Sequence, residues 1–191
     1  MAAENTTITG GGTFTLMSGA TLGVTSANGI TPEGTALGNI RTLYRSYGEG
    51  ANYIYNGSSA QVTGTGLTSN IPAKLTINNS SGVTLSAQTT ISGLLTMTSG
   101  TLNLANTNFT AGSVTGSSAI TNSTGTASDV VITIGSDNTS PAAYSGAISD
   151  GTASSVSLVK NGTGTLILSG TNSYSGTTTI ADGILELGSG T

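Results

Sequence analysis

Histidine and cysteine are both absent from the 191 residues, so the common general base and the thiol nucleophile are missing. The groups left for acid–base work are eight carboxylates: Glu4, Glu33, Glu49, Asp129, Asp137, Asp150, Asp182 and Glu186. They are scattered along the chain. Carboxylates that meet across neighbouring strands can hydrolyse a glycosidic bond, and Asp150 and Asp182 are the pair that a repeating fold would bring together. Both precede glycine, however, and Asp-Gly is a turn dipeptide. The turn role is the simpler reading, and the sequence reads as that of a non-enzyme. No cofactor is implied. For calcium there is neither an EF-hand loop nor a Gly-Gly-x-Gly-x-Asp series.

One stretch concentrates side chains suited to binding. Residues 39–55 carry Arg41, Arg45 and Glu49 together with Tyr44, Tyr47, Tyr53 and Tyr55, four of the six tyrosines. In a ligand patch, Tyr44 and Tyr47 would stack on sugar rings while Arg41 and Arg45 held hydroxyls or carboxylates. The competing and preferred reading is structural. Residues 40–47 form a long strand, Gly48-Glu49-Gly50 a turn and residues 51–55 a return strand. On that reading the stretch is a β-hairpin or a long rung whose tyrosines cover the core and whose arginines lie on the wet face.

These side chains need a scaffold, and composition says which kind. Only 6% of residues are charged and the formal net charge is −4, whereas soluble domains average roughly 25% charged residues. Disorder normally accompanies low hydrophobicity and high net charge, and 35% of this chain is hydrophobic. The chain therefore folds, and Ser, Thr and Asn solvate its outside. Four basic residues are too few to neutralise a nucleic-acid backbone. No apolar run reaches the roughly 18 residues of a membrane span. Residues 1–5 lack the regions of a signal peptide.

Secondary structure follows from glycine-led apolar pairs. Gly12-Thr13-Phe14-Thr15-Leu16, Ala20-Thr21-Leu22-Gly23-Val24, Lys74-Leu75-Thr76-Ile77, Gly93-Leu94-Leu95-Thr96-Met97, Gly100-Thr101-Leu102-Asn103-Leu104 and Val130-Val131-Ile132-Thr133-Ile134 alternate in period two. That spacing places two aliphatic side chains on one face of each strand. No helical period is present. Asn78-Asn79 and residues 106–108 are natural corners, because asparagine tolerates left-handed backbone angles.

The last such units lie within residues 158–188. On Lys160, Gly162, Gly164-Thr165-Leu166, Leu168-Ser169-Gly170, Asn172, Tyr174, Gly176, Thr178, Gly183, Leu185 and Leu187, this segment resembles the autotransporter-associated β-strand repeat of bacterial secreted and surface proteins. The stretch from Ala51-Asn52-Tyr53-Ile54-Tyr55-Asn56-Gly57 to Ser99-Gly100-Thr101-Leu102 resembles repeats of large secreted adhesin-like proteins of Bacteroidota. Both resemblances imply a parallel β-helix outside the cell rather than a reaction.

The expected architecture is thus all-β: a single right-handed parallel β-helix over residues 1–191, read as a segment of a longer secreted repeat protein. At roughly 20 residues per turn it would have about nine or ten rungs and a length of about 45 Å. The handedness follows from the crossover preference and from the resemblance. The expected function is an extracellular stalk or fibre segment, with an adhesive module for glycan or matrix as the alternative. A polysaccharide-degrading β-helix ranks lower. So does an ice-binding face, because the threonine spacing is not constant. The partners expected are further copies joined end to end, through open β edges, and glycans or other surface proteins.

Overall fold

A computed structural model of the protein describes residues 6–68, 70–123, 129–151 and 155–188; Glu4 and residues 189–191 lie outside them. The strands are β1 (Ile8–Leu16), β2 (Thr21–Val24), β3 (Ile40–Tyr47), β4 (Asn52–Tyr55), β5 (Gln61–Val62) and β6 (Lys74–Asn78). Next come β7 (Val83–Thr84), β8 (Thr89–Ser99), β9 (Leu102–Asn103), β10 (Phe109–Gly116), β11 (Ile120–Thr121) and β12 (Val130–Ile134). The chain continues through β13 (Ile148–Ser149), β14 (Val156–Lys160), β15 (Thr165–Leu168), β16 (Thr178–Ile180) and β17 (Ile184–Leu187). Among the described residues there is no helix.

Strand order shows how the chain winds. One sheet of eight strands runs β16-β14-β12-β10-β8-β6-β4-β2, and a second of five runs β13-β11-β9-β7-β5. Two-stranded sheets β1-β3 and β15-β17 complete the set. The strand that follows β4, β6 or β8 lies in the other sheet, and the chain then returns to pair in parallel with its predecessor one turn below. This is the β-solenoid expected from the sequence. It has about six turns, fewer than expected, because the turns differ in length. Leu75 lies over Leu95 in a tight turn, but Thr21 lies over Asn52 and Gly116 over Tyr144. The longer turns carry loops such as residues 25–39. Of the two structural readings of residues 40–55, hairpin or long rung, the rung forms: β3 pairs with β1, β4 pairs with β2 and β6, and the glycine turn between them is a rung corner.

The core consists of columns of inward positions stacked strand over strand along the sheets. Leu22, Tyr53, Leu75, Leu95 and Val114 make one column. Beside it run Val24, Tyr55, Ile77, Met97, Gly116, Tyr144, Leu168 and Leu187. Gly116 has φ +110°, and a β-carbon there would lie 2.1 Å from the Met97 carbonyl oxygen. Each buried Leu, Ile or Val contributes about 1.5–3 kcal/mol. Corners are equally specific. Asn106 and Asn138 adopt φ of 60° and 59°, the left-handed geometry asparagine tolerates. Gly100 has φ +80°, and a β-carbon there would lie 1.7 Å from the Asn79 carbonyl oxygen of the turn below; only glycine fits.

Candidate functional site

The binding candidates Arg41, Tyr44, Arg45 and Tyr47 all lie on β3, and the alternation of that strand decides where each one goes. Ile40 and Thr42 point inward and Arg41 and Leu43 outward, but then Tyr44 also faces out. The parity flips opposite a bulge in β1, where the register shifts between Gly10 and Thr13. A bulge re-aims the side chains that follow it, and here it turns Arg45 and Tyr47 inside.

Arg45 is 7% exposed and holds the preceding loop. Its NH1 group donates to Thr31 Oγ1 at 2.7 Å, the Pro32 carbonyl at 2.7 Å and Thr35 Oγ1 at 3.0 Å. NH2 donates to the Thr35 carbonyl, and Nε reaches the Thr42 carbonyl at 3.3 Å. In return, the carboxylate of Glu33 accepts from the Arg45 backbone N–H at 2.9 Å. The fork geometry of a guanidinium suits this multiple capture of oxygens. Tyr47 is buried against Phe14, ring centroids 5.9 Å apart. Its hydroxyl reaches the Thr31 carbonyl at 3.4 Å, and burial pushes its pKa up.

Arg41 and Tyr44 remain outside. Arg41 is half-buried, and its Nε donates to the Gly38 carbonyl at 3.0 Å. It lines a cleft of about 390 Å³ with Thr9, Gly34, Thr35, Ala36, Thr42 and Leu43. Tyr44 is 53% exposed. Of the four sequence candidates, β3 therefore sends two to solvent and two into the fold.

The terminal repeat holds a residue that the sequence reading did not single out as buried. Lys160 lies between Ile134 and Ile180 in one inward column and is 1% exposed. Its Nζ donates to the carbonyls of Asn161 and Gly162, each at 2.7 Å, and of Asp182 at 3.2 Å. Burial lowers the Lys160 pKa, and the Asp182 carboxylate pulls it the other way. The signal was present in the chain: Val156, Leu158 and Lys160 share one strand parity, so the lysine must enter with the aliphatics.

The other motif residues are joints between turns. Asn172 Oδ1 accepts from the Ile148 N–H at 2.9 Å, while its Nδ2 donates to the Gly170 carbonyl at 3.1 Å. Tyr174 shares a 2.7 Å hydrogen bond with Thr178. Gly162 has φ +67°, and a β-carbon there would lie 2.1 Å from the Gly135 carbonyl oxygen. Asp150 accepts the N–H groups of Val156 and Ser175 at 2.7 and 2.8 Å, and Asp182 accepts that of Gly183 at 2.7 Å. Asp150 thus ties its corner to the next turn, and Asp182 is bonded within its own corner. Among the described residues no three His, Cys, Asp or Glu side chains gather as a metal site.

No curated protein and no solved structure matches the chain. Residues 158–187, the segment whose joints have just been described, match the family model of the passenger-associated-transport-repeat, in agreement with the resemblance to autotransporter passenger repeats.

Proposed function

We propose that the chain is a structural spacer, a stalk segment of a secreted or surface-held passenger that keeps other parts of the protein at a fixed distance. The observation that carries this reading is the continuous column of register partners from Val24 to Leu187. A solenoid of this kind adds stability turn by turn through nearest-neighbour contacts, and its length follows from the number of turns. The groups that could do chemistry support the same reading. Arg45, Lys160, Asp150 and Asp182 all hold backbone groups of loops and corners.

The test places the chain between a surface anchor and a fluorescent reporter on a bacterial cell. Excising residues 54–95 joins Tyr53 to Thr96 and removes two turns in register. The reporter should move about 10 Å closer to the membrane, two rung spacings, with β circular dichroism retained. An unchanged distance in a folded variant would rule the spacer out.

A further inference from the structure

The first turn carries a cleft of about 390 Å³, lined by Thr9 of β1, by Arg41, Thr42 and Leu43 of β3 and by residues 34–36. Thr9 and Arg41 are register partners across the two strands, and Leu43 is 54% exposed. That volume lies within the usual range of ligand pockets, about 300–1,000 Å³.

The cleft contains one cation. Arg41 commits only its Nε, to Gly38, and its two terminal nitrogens have no partner among the described residues. Of the other three basic residues, Arg45 and Lys160 are buried on backbone carbonyls and Lys74 is on β6. A half-buried guanidinium with its fork free is suited to one ligand group above others, a carboxylate held by two parallel hydrogen bonds. The lining beside it is Leu43, Ala36 and Gly34, with the hydroxyls of Thr9 and Thr35 at the edge. Such a lining prefers an aliphatic body to a sugar ring, because no aromatic face lines the cleft for a ring to stack on. The wall is also preorganised. The buried Arg45 fixes Pro32 and Thr35 through three hydrogen bonds, and preorganised walls lower the ordering cost of binding.

We infer that the cleft between β1, β3 and residues 34–36 binds the C-terminal carboxylate of a peptide ending in an aliphatic residue, with Arg41 as the carboxylate clamp. This goes beyond the spacer reading and makes the first turn a docking point for a partner polypeptide. The partner's last side chain lies on Leu43 and Ala36, and its carboxylate meets the terminal nitrogens of Arg41.

The experiment titrates the full chain with acetyl-Ala-Leu and follows amide and arginine side-chain resonances by NMR. Saturable shifts at Thr9, Ala36, Leu43 and Arg41 are expected, with affinity of roughly millimolar order for so small a probe. The C-terminal amide of the same dipeptide should bind at least about tenfold more weakly, a difference of 1.4 kcal/mol. Arg41→Met should lose the response to the acid, while its unchanged circular dichroism shows the fold intact. Three results would overturn the inference: equal response to acid and amide, no response to either, or tighter binding of glucuronate than of the dipeptide. None of them bears on the reporter-distance test of the spacer.

Discussion

The ammonium of Lys160 donates to the backbone carbonyl of Asp182, one turn further along the solenoid, at 3.2 Å. A charged side chain thus stands in a column of aliphatics and bonds one corner to the next. A hydrogen bond donated by a charged group contributes about 1.5–3 kcal/mol, offset in part by the cost of burying the ammonium. Lys160→Met keeps the volume and removes the donor. It should lower the unfolding free energy by about 1–3 kcal/mol, read from the denaturant midpoint, and a midpoint equal to the parent's would show that the clip contributes nothing.

Tyr53 offers the opposite case. Its hydroxyl is buried and has no hydrogen-bond partner among the described residues, whereas the Tyr55 hydroxyl donates to the Thr63 carbonyl at 2.6 Å. An unpaired buried hydroxyl is a cost, and a paired one is a modest gain. Tyr53→Phe should therefore leave stability unchanged or raise it by up to about 1 kcal/mol, while Tyr55→Phe should lower it by about 1 kcal/mol. The reverse order in thermal melts would contradict the bonding pattern.

The buried tyrosines also set the alkaline limit. Burial pushes Tyr53 up to about 12, with Tyr47 adding to the effect, and burial raises Tyr47, Tyr55 and Tyr144 as well. A folded pKa above the unfolded value near 10 means that the unfolded chain loses its proton first. Stability is then full below pH 10 and falls as pH rises towards the folded values. For Tyr53 alone the loss by pH 12 is on the order of 2–3 kcal/mol. Denaturant midpoints should hold steady from pH 8 to about 10 and then drop, together with tyrosinate absorbance. A flat profile to pH 12 would contradict it.

Much of this was legible in the chain. Period-two aliphatic pairs gave Leu75 and Ile77, or Ile132 and Ile134, their common face, and the glycine-led units gave the solenoid. The exceptions have local causes. Turn length depends on what a loop such as residues 25–39 bonds to, and Asn39 holds that loop by accepting the N–H groups of Thr25 and Ser26. Strand propensity does not report such a contact. Arg45 enters the interior because of a bulge on a different strand, β1, whose run of three glycines does not reveal its partner. Lys160 was readable from parity alone, but a charged residue is rarely assigned to a core.

The self-association expected from the sequence has candidate residues in β16 and β17. Ile180 and Leu187 are register partners of Lys160 and Leu168 and are 54% and 76% exposed, and an exposed apolar β edge promotes pairing. Light scattering of the chain should give a mass that rises with concentration, and Leu187→Asp should remove the rise. A constant monomer mass at high concentration would exclude association through this edge.

The most direct test of the parallel stack is a pair of cysteines, clean because the chain has none of its own. Thr76 and Thr96 are register partners on adjacent turns, so their Cα atoms lie about 4.8 Å apart, within the roughly 4.4–6.8 Å span of a disulfide. Under mild oxidation, Thr76→Cys with Thr96→Cys should cross-link within the monomer, while Thr76→Cys with Thr90→Cys, whose register partner is Thr110, should stay reduced. Failure of the first pair to oxidise, or equal oxidation of both, would contradict the stacked turns.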